Sequence, residues 1–133
     1  MNQIILASHS KLASGMMETV CFFGGDNVEV LEQTMTDTGF EEKVSQILEK
    51  HRNKNCIVFT DLYGGSVNQI FFRKLANTHF HLITGMNLAV ILECIFTKED
   101  IDEDFIRKAI KTSKEQFCYM NDYLKMSMDE DED

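Results

Sequence analysis

The sequence predicts an α/β fold: a single-domain three-layer sandwich with a mainly parallel sheet of about four strands, room for one extra antiparallel edge strand, and helices on both faces. Three observations point there. Short apolar runs alternate along the chain with stretches of helical period, the pattern of repeated strand-then-helix units. No proline interrupts any of them. At 133 residues and 44% hydrophobic, the chain can bury one sizeable core and is too short for two ordinary domains.

The first strand spans Gln3 to Ala7, where Ile4, Ile5, Leu6 and Ala7 form a run with no polar alternation, as a strand covered on both faces requires. Leu12, Met16, Val20 and Phe23 then keep one helical face, and Gly24 with Gly25 supplies the stop. Val28 to Leu31 is the second strand, followed by Phe40, Val44, Ile47 and Leu48 at helical spacing. Cys56 to Thr60 is the third, after which Val67, Ile70, Phe71 and Leu75 line a helix that leaves Arg73 and Lys74 to solvent. The fourth, Phe80 to Thr84, precedes a more uniformly apolar helix with Leu88, Ile91, Leu92 and Ile95. A last helix carries Ile101, Phe105, Ile106, Ala109, Ile110, Ser113 and Phe117 back onto the sheet. The folded domain is expected over 1–124. The remainder, 125–133, ends in MDEDED and is expected to be a disordered acidic tail.

The formal charge of −9 argues against a phosphate-backbone binder, so no nucleic-acid partner is expected, whereas a basic protein partner fits. No apolar stretch approaches the roughly 20 residues of a membrane span, and the start has no basic, then apolar, signal pattern. A cytoplasmic protein is expected. Cys21, Cys56, Cys94 and Cys118 are scattered without a CxxC pair and read as reduced packing residues, not as zinc or redox ligands.

The stretch SHSKLASG puts His9 where the first strand stops and a helix starts. In a parallel sheet the loops after the strands emerge on one edge, and ligands bind there where connections diverge. Asp61 stands just past the third strand, in TDLYGGSVNQ, before Gly64, Gly65 and Ser66 at a helix start. If the first and third strands are neighbours, Asp61 can accept from His9 Nδ1–H, fixing the tautomer that leaves Nε2 bare. Main-chain amides near Gly65 and Ser66, the helix N-terminus and the Ser66 hydroxyl would make an anion cradle. A histidine nucleophile, an orienting carboxylate and an anion site suggest phosphoryl transfer through a phosphohistidine.

Competing motifs fail on detail. GGSVN has Asn68 where the GxSxG elbow of hydrolases needs glycine, and a Ser66, His9, Asp61 triad has the wrong chain order for that fold. Neither GxxxxGK[ST] nor GxGxxG occurs, so no nucleotide cofactor is expected. His79 and His81, on one side of a strand by the period of two, read as edge polarity and not as a metal pair. His51 reads as a structural cation at a helix end. Met16, Met17 and Phe22 read as core, and Glu18 and Asp26 as candidates for a charged rim around the site.

The motif H-x-x-x-A-x-G from His9, D-x-x-G-G-S from Asp61 to Ser66, and G-x-N-L from Gly85 to Leu88 with Glu93 beyond, in this order, resemble the enzyme IIA domain of the mannose type of the bacterial phosphoenolpyruvate-dependent sugar phosphotransferase system. The likeness covers nearly the whole chain to about Tyr123. It implies that His9 carries the phosphoryl group on Nε2, that Asp61 holds Nδ1, and that Gly65 and Ser66 receive the phosphoryl oxygens. It also implies a homodimer, a donor in the phosphocarrier protein HPr, an acceptor in a cognate enzyme IIB, only indirect dealings with the membrane components IIC and IID, and no cofactor. The chain departs from the family pattern at Ser10, where glycine is usual, at Val67 and Ala89, where proline is, and at Gln69, where asparagine is. Two other roles stay open on the same resemblance: a phosphorylatable regulatory module, and the phosphoryl-donor subunit of a dihydroxyacetone kinase.

Overall fold

The computed structural model describes residues 1–131, with side chains described as far as residue 128. The elements follow one another as β1 (Asn2–His9), α1 (Leu12–Phe22), β2 (Val28–Gln33), α2 (Phe40–Lys50), β3 (Asn55–Thr60), α3 (Ser66–Lys74), β4 (His81–Thr84), α4 (Leu88–Ile95), α5 (Glu103–Lys114) and α6 (Met120–Asp131). The sheet order is β2-β1-β3-β4 and every pairing is parallel. The extra antiparallel edge strand is not found among the described residues.

The period of two along each strand sorts the core into two halves. Ile4 and Leu6 of β1 with Ile57 and Phe59 of β3 pack against Ala13 and Val20 of α1, Val90, Ile91 and Cys94 of α4, and Ile106 and Ala109 of α5. Ile5, Ala7 and Val58 face the other way, onto Phe40, Val44 and Leu48 of α2 and Val67 and Phe71 of α3. The expected three layers are therefore α1, α4 and α5 on one face and α2 and α3 on the other. Asn87 and Asp102 cap α4 and α5 by accepting from Val90 N at 3.0 Å and Phe105 N at 2.9 Å.

Several local expectations change. The last sheet-packing helix stops at Lys114, and Phe117 is exposed. The segment expected to be without order from residue 125 is helical as far as Asp131, in α6, whose described side chains are all exposed. Tyr123, Leu124, Lys125 and the following methionines are adequate helix formers, which periodicity of burial could not reveal because this helix buries no face. Residues 132 and 133 of that expected tail lie outside the described residues. His79 precedes β4 instead of sharing it with His81; the two rings stand edge to face with centroids 5.8 Å apart, and burial, then the neighbouring His79, pushes His81 down. His51 follows α2, almost wholly buried, with Nε2 3.0 Å from Glu29 Oε2 of β2. Burial alone would raise the Glu29 carboxyl, yet Lys50 and His51 hold it below its usual range.

The cysteines divide. Cys56 and Cys94 are packing residues, as expected, whereas Cys21 and Cys118 are exposed on helix and loop surfaces. Burial pushes the Cys56 thiol up and the Cys94 thiol up to about 12, and only thiolate is an effective nucleophile. A thiol-alkylating reagent at mildly alkaline pH is accordingly expected to modify Cys21 and Cys118 in the folded protein, and all four cysteines after unfolding. Peptide mass mapping checks this, and rapid native labelling of Cys94 would contradict the packing described.

Candidate active site

β1 leads into α1 on one face of the sheet and its neighbour β3 leads into α3 on the other. The two connections part over the C-terminal ends of β1 and β3, which opens a crevice there. His9 is the last residue of β1 and Asp61 the first after β3, so both lie at that crevice.

They meet. Asp61 Oδ2 accepts the backbone amide of His9 at 2.9 Å, and the carboxylate oxygens lie 3.2 and 3.1 Å from His9 Nδ1. One carboxylate thus fixes both the main chain and the ring of the same residue. The His9 side chain is 40% exposed and that of Asp61 only 10%, which leaves the imidazole reachable and its orienting group shielded. His9 Nε2, the nitrogen away from Asp61, lies 3.1 Å from Ser66 Oγ.

The turn between β3 and α3 is built to bring this about. Gly64 has φ of +73°, a conformation glycine adopts without penalty, and its amide donates to Asn68 Oδ1 while Gln69 Nε2 donates to its carbonyl. Gln69, one of the departures from the family pattern, therefore clamps the loop. Val67, another, is fully buried beneath it. Gly65 is extended and precedes the first residue of α3 without any side-chain cap. A Cβ there would stand 2.9 Å from His9 Cε1 and 3.3 Å from the Leu62 carbonyl, so this glycine is needed for room.

One expected detail changes: the Gly65 amide donates to Leu62 O at 3.0 Å and closes the turn, so it is not a free donor for an anion. The available donors are the Ser66 hydroxyl and the opening amides of α3, which as first-turn groups have no intrahelical acceptor.

One residue at the site carried no sequence signal. Gln33 ends β2 directly opposite His9 in the β1–β2 register, and its Oε1 lies 2.7 Å from Ser66 Oγ. Its backbone carbonyl accepts the amide of Ser10 at 2.9 Å. Ser10 has φ of +53°, in the left-handed region where a glycine would be at ease, and that bond helps hold it there. Beside His9 an open depression of about 530 Å³ runs past Lys11 and Glu32 to Met35 and Asp37. Exposed Leu62 and Tyr63, in the loop after Asp61, and Met35 give the surroundings an apolar character.

The rim expected at Asp26 is corrected: that residue lies beside Met1 and Asn2 at the opposite edge of the sheet, because α1 runs antiparallel to the strands. Phe22 ends the same helix, exposed and away from the site, and so is not core. Among the described residues there is no group of three His, Cys, Asp or Glu side chains placed to hold a metal ion, and no helix long and apolar enough to cross a membrane.

Residues 3–111 match the family model described as the PTS system fructose IIA component, EIIA-man. No curated protein matches. Among solved structures, the chain is similar to a proposed phosphoenolpyruvate-dependent sugar phosphotransferase system permease from Klebsiella pneumoniae, with 30% identity, 92% of this chain and 93% of that one covered, and a TM-score of 0.81. A mannose/sorbose specific IIA subunit from Enterococcus faecalis shares the fold at 19% identity, with 89% and 93% covered and a TM-score of 0.80. The PTS IIA protein associated with the fucose utilization operon of Streptococcus pneumoniae does so at 23% identity, 92% and 96% coverage and a TM-score of 0.80.

Proposed function

Because the chain belongs to the mannose-type enzyme IIA family of the sugar phosphotransferase system, we propose that His9 accepts a phosphoryl group from phospho-HPr and passes it to a cognate enzyme IIB. The family's work is phosphoryl transfer in sugar uptake. Within that work the observation that carries the assignment is the double hold of Asp61 on His9, through the amide at 2.9 Å and through Nδ1, which turns Nε2 toward the opening.

The step is an in-line displacement. The Nε2 lone pair attacks phosphorus, an N–P bond forms, the donor's P–N bond breaks, and its electron pair returns to the donor imidazole. Asp61 keeps the proton on Nδ1 and offsets the positive charge that the ring takes on. The Ser66 hydroxyl swings from Nε2 to a phosphoryl oxygen, and the first amides of α3 receive the others. No metal or nucleotide enters the step as written. Transfer to IIB is the same displacement in reverse, with IIB supplying the nucleophile. Exposed Leu62, Tyr63 and Met35 suit brief protein encounters, which is how both carriers would reach a ring only 40% exposed. A homodimer belongs to the proposal, and IIC and IID are met only through IIB.

Incubating the chain with phosphoenolpyruvate, enzyme I and HPr, then mapping the modified residue by mass spectrometry, tests this; a phosphorylated residue other than His9 would overturn it. Gly65→Ala is expected to fold and yet take up label about tenfold more slowly, since the new methyl pushes the ring out of line by a few tenths of an ångström. Uptake at the wild-type rate would mean the ring has slack that the 2.9 Å approach denies.

One observation favours a second reading. Asp61, His9 and Ser66 are linked as in a hydrolase triad, with Nε2 3.1 Å from Ser66 Oγ. Covalent capture of a fluorophosphonate probe at Ser66 would support that reading; an inert Ser66 beside a labelled His9 supports the phosphoryl carrier.

A further inference from the structure

Gln33 plays no part in the transfer step above, yet it holds the site by two groups. Its carbonyl fixes Ser10, and its side chain reaches Ser66 Oγ, which in turn reaches His9 Nε2. A serine hydroxyl has one proton to give. It can go to Gln33 Oε1 or to a bare Nε2, not to both.

Two complete arrangements exist. When the ring is neutral, with its proton on Nδ1 against Asp61, Ser66 must donate to Nε2 and Gln33 must turn its NH₂ toward Ser66 Oγ. When the ring is doubly protonated, Nε2–H donates to Ser66 Oγ and Ser66 donates to Gln33 Oε1 across the 2.7 Å contact. An amide serves both by turning over; a carboxylate or an alkyl group cannot. We infer that Gln33 is a positioning residue that, through the Ser66 hydroxyl, lets His9 Nε2 present either a lone pair or a proton, where an acceptor-only side chain would favour the proton. The consequence for transfer rests on His9 being the phosphoryl acceptor; the relay itself does not.

The other charged groups around the ring are Asp61 from the β3–α3 loop, Lys11 ahead of α1, and Glu32 and Asp37 along the depression. Glu32 accepts from Ser14 N at 3.0 Å, and Asp37 is paired with Lys43 at 3.3 Å. All four are unchanged in the variants below, so they cancel in the comparison.

Gln33→Glu supplies an acceptor only, so Ser66 is drawn toward it and Nε2 keeps its proton. NMR titration of the His9 ring in the intact chain should show Nε2 protonated to higher pH by about one pH unit, a tenfold change in proton affinity. In a Ser66→Ala background less than half of that displacement should remain. Gln33→Leu, which removes both donor and acceptor, should not move the titration upward, and it supplies the comparison if the glutamate variant fails to fold. An unmoved titration in Gln33→Glu, or a full displacement without the Ser66 hydroxyl, would overturn the relay. In the functional arm, Gln33→Glu should take label from phospho-HPr about tenfold more slowly at neutral pH and recover as the pH rises. If the wild type takes up no label, the phosphoryl assignment falls, while the ring titration still decides the role of Gln33.

Discussion

His9→Ala is expected to take up no label from phospho-HPr above background, with the fold intact. The alanine keeps the backbone amide that Asp61 accepts at 2.9 Å, so the β1 terminus stays in place. What is lost is a ring 40% exposed, with its contacts to Asp61 and Ser66. Truncating so open a side chain should cost about 1 kcal/mol of stability, within what the two halves of the core can absorb. Nucleophilic transfer has no substitute group at the site, because Ser66 loses the base that could activate it. Scintillation counting after single-turnover exposure to phospho-HPr, beside a circular dichroism spectrum, checks both halves. Persistent labelling in a folded His9→Ala protein would move the acceptor elsewhere.

Asp61→Ala is the second large effect, and it acts on two levels. Removing the carboxylate frees Nδ1, so the neutral ring can place its proton on either nitrogen, and the charge formed during attack loses its counter-ion. Uptake should fall by about 10²–10³-fold. The amide of His9 also loses its acceptor, at a cost of about 1–3 kcal/mol in a carboxylate site only 10% exposed. Asp61→Asn separates the two: its amide oxygen can still accept from His9 N, so stability should largely return while transfer stays slow. If Asp61→Asn transfers at the wild-type rate, the carboxylate serves the backbone alone.

The strands and the pairing of His9 with Asp61 were legible because a doubly covered parallel strand leaves an uninterrupted apolar run, and the polar residue that ends such a run must lie at the sheet edge. Asp61 and Ser66 were legible for the same reason, with a glycine pair between them to mark the turn. Gln33 was not. It ends β2, whose six residues are all half-buried, so the pattern there carries neither a clean apolar run nor a clean alternation. Its partnership with Ser66 arises from register, which brings Gln33 opposite His9, and register is a property of the assembled sheet. The Gly65 amide was not legible for a related reason: a glycine near a helix start suggests a free donor, yet the turn uses that donor on Leu62 O. α6 escaped notice because it buries nothing, and burial is what stamps a helical period on a sequence.

The central claim is that one ring nitrogen, Nε2 of His9, carries the phosphoryl group while Asp61 keeps the other. Phosphorus–nitrogen coupling in the NMR spectrum of the singly phosphorylated protein reads this directly. Coupling to Nε2 of His9, with Nδ1 still protonated, is the predicted result. Coupling to Nδ1, or phosphorus on Ser66, would contradict it.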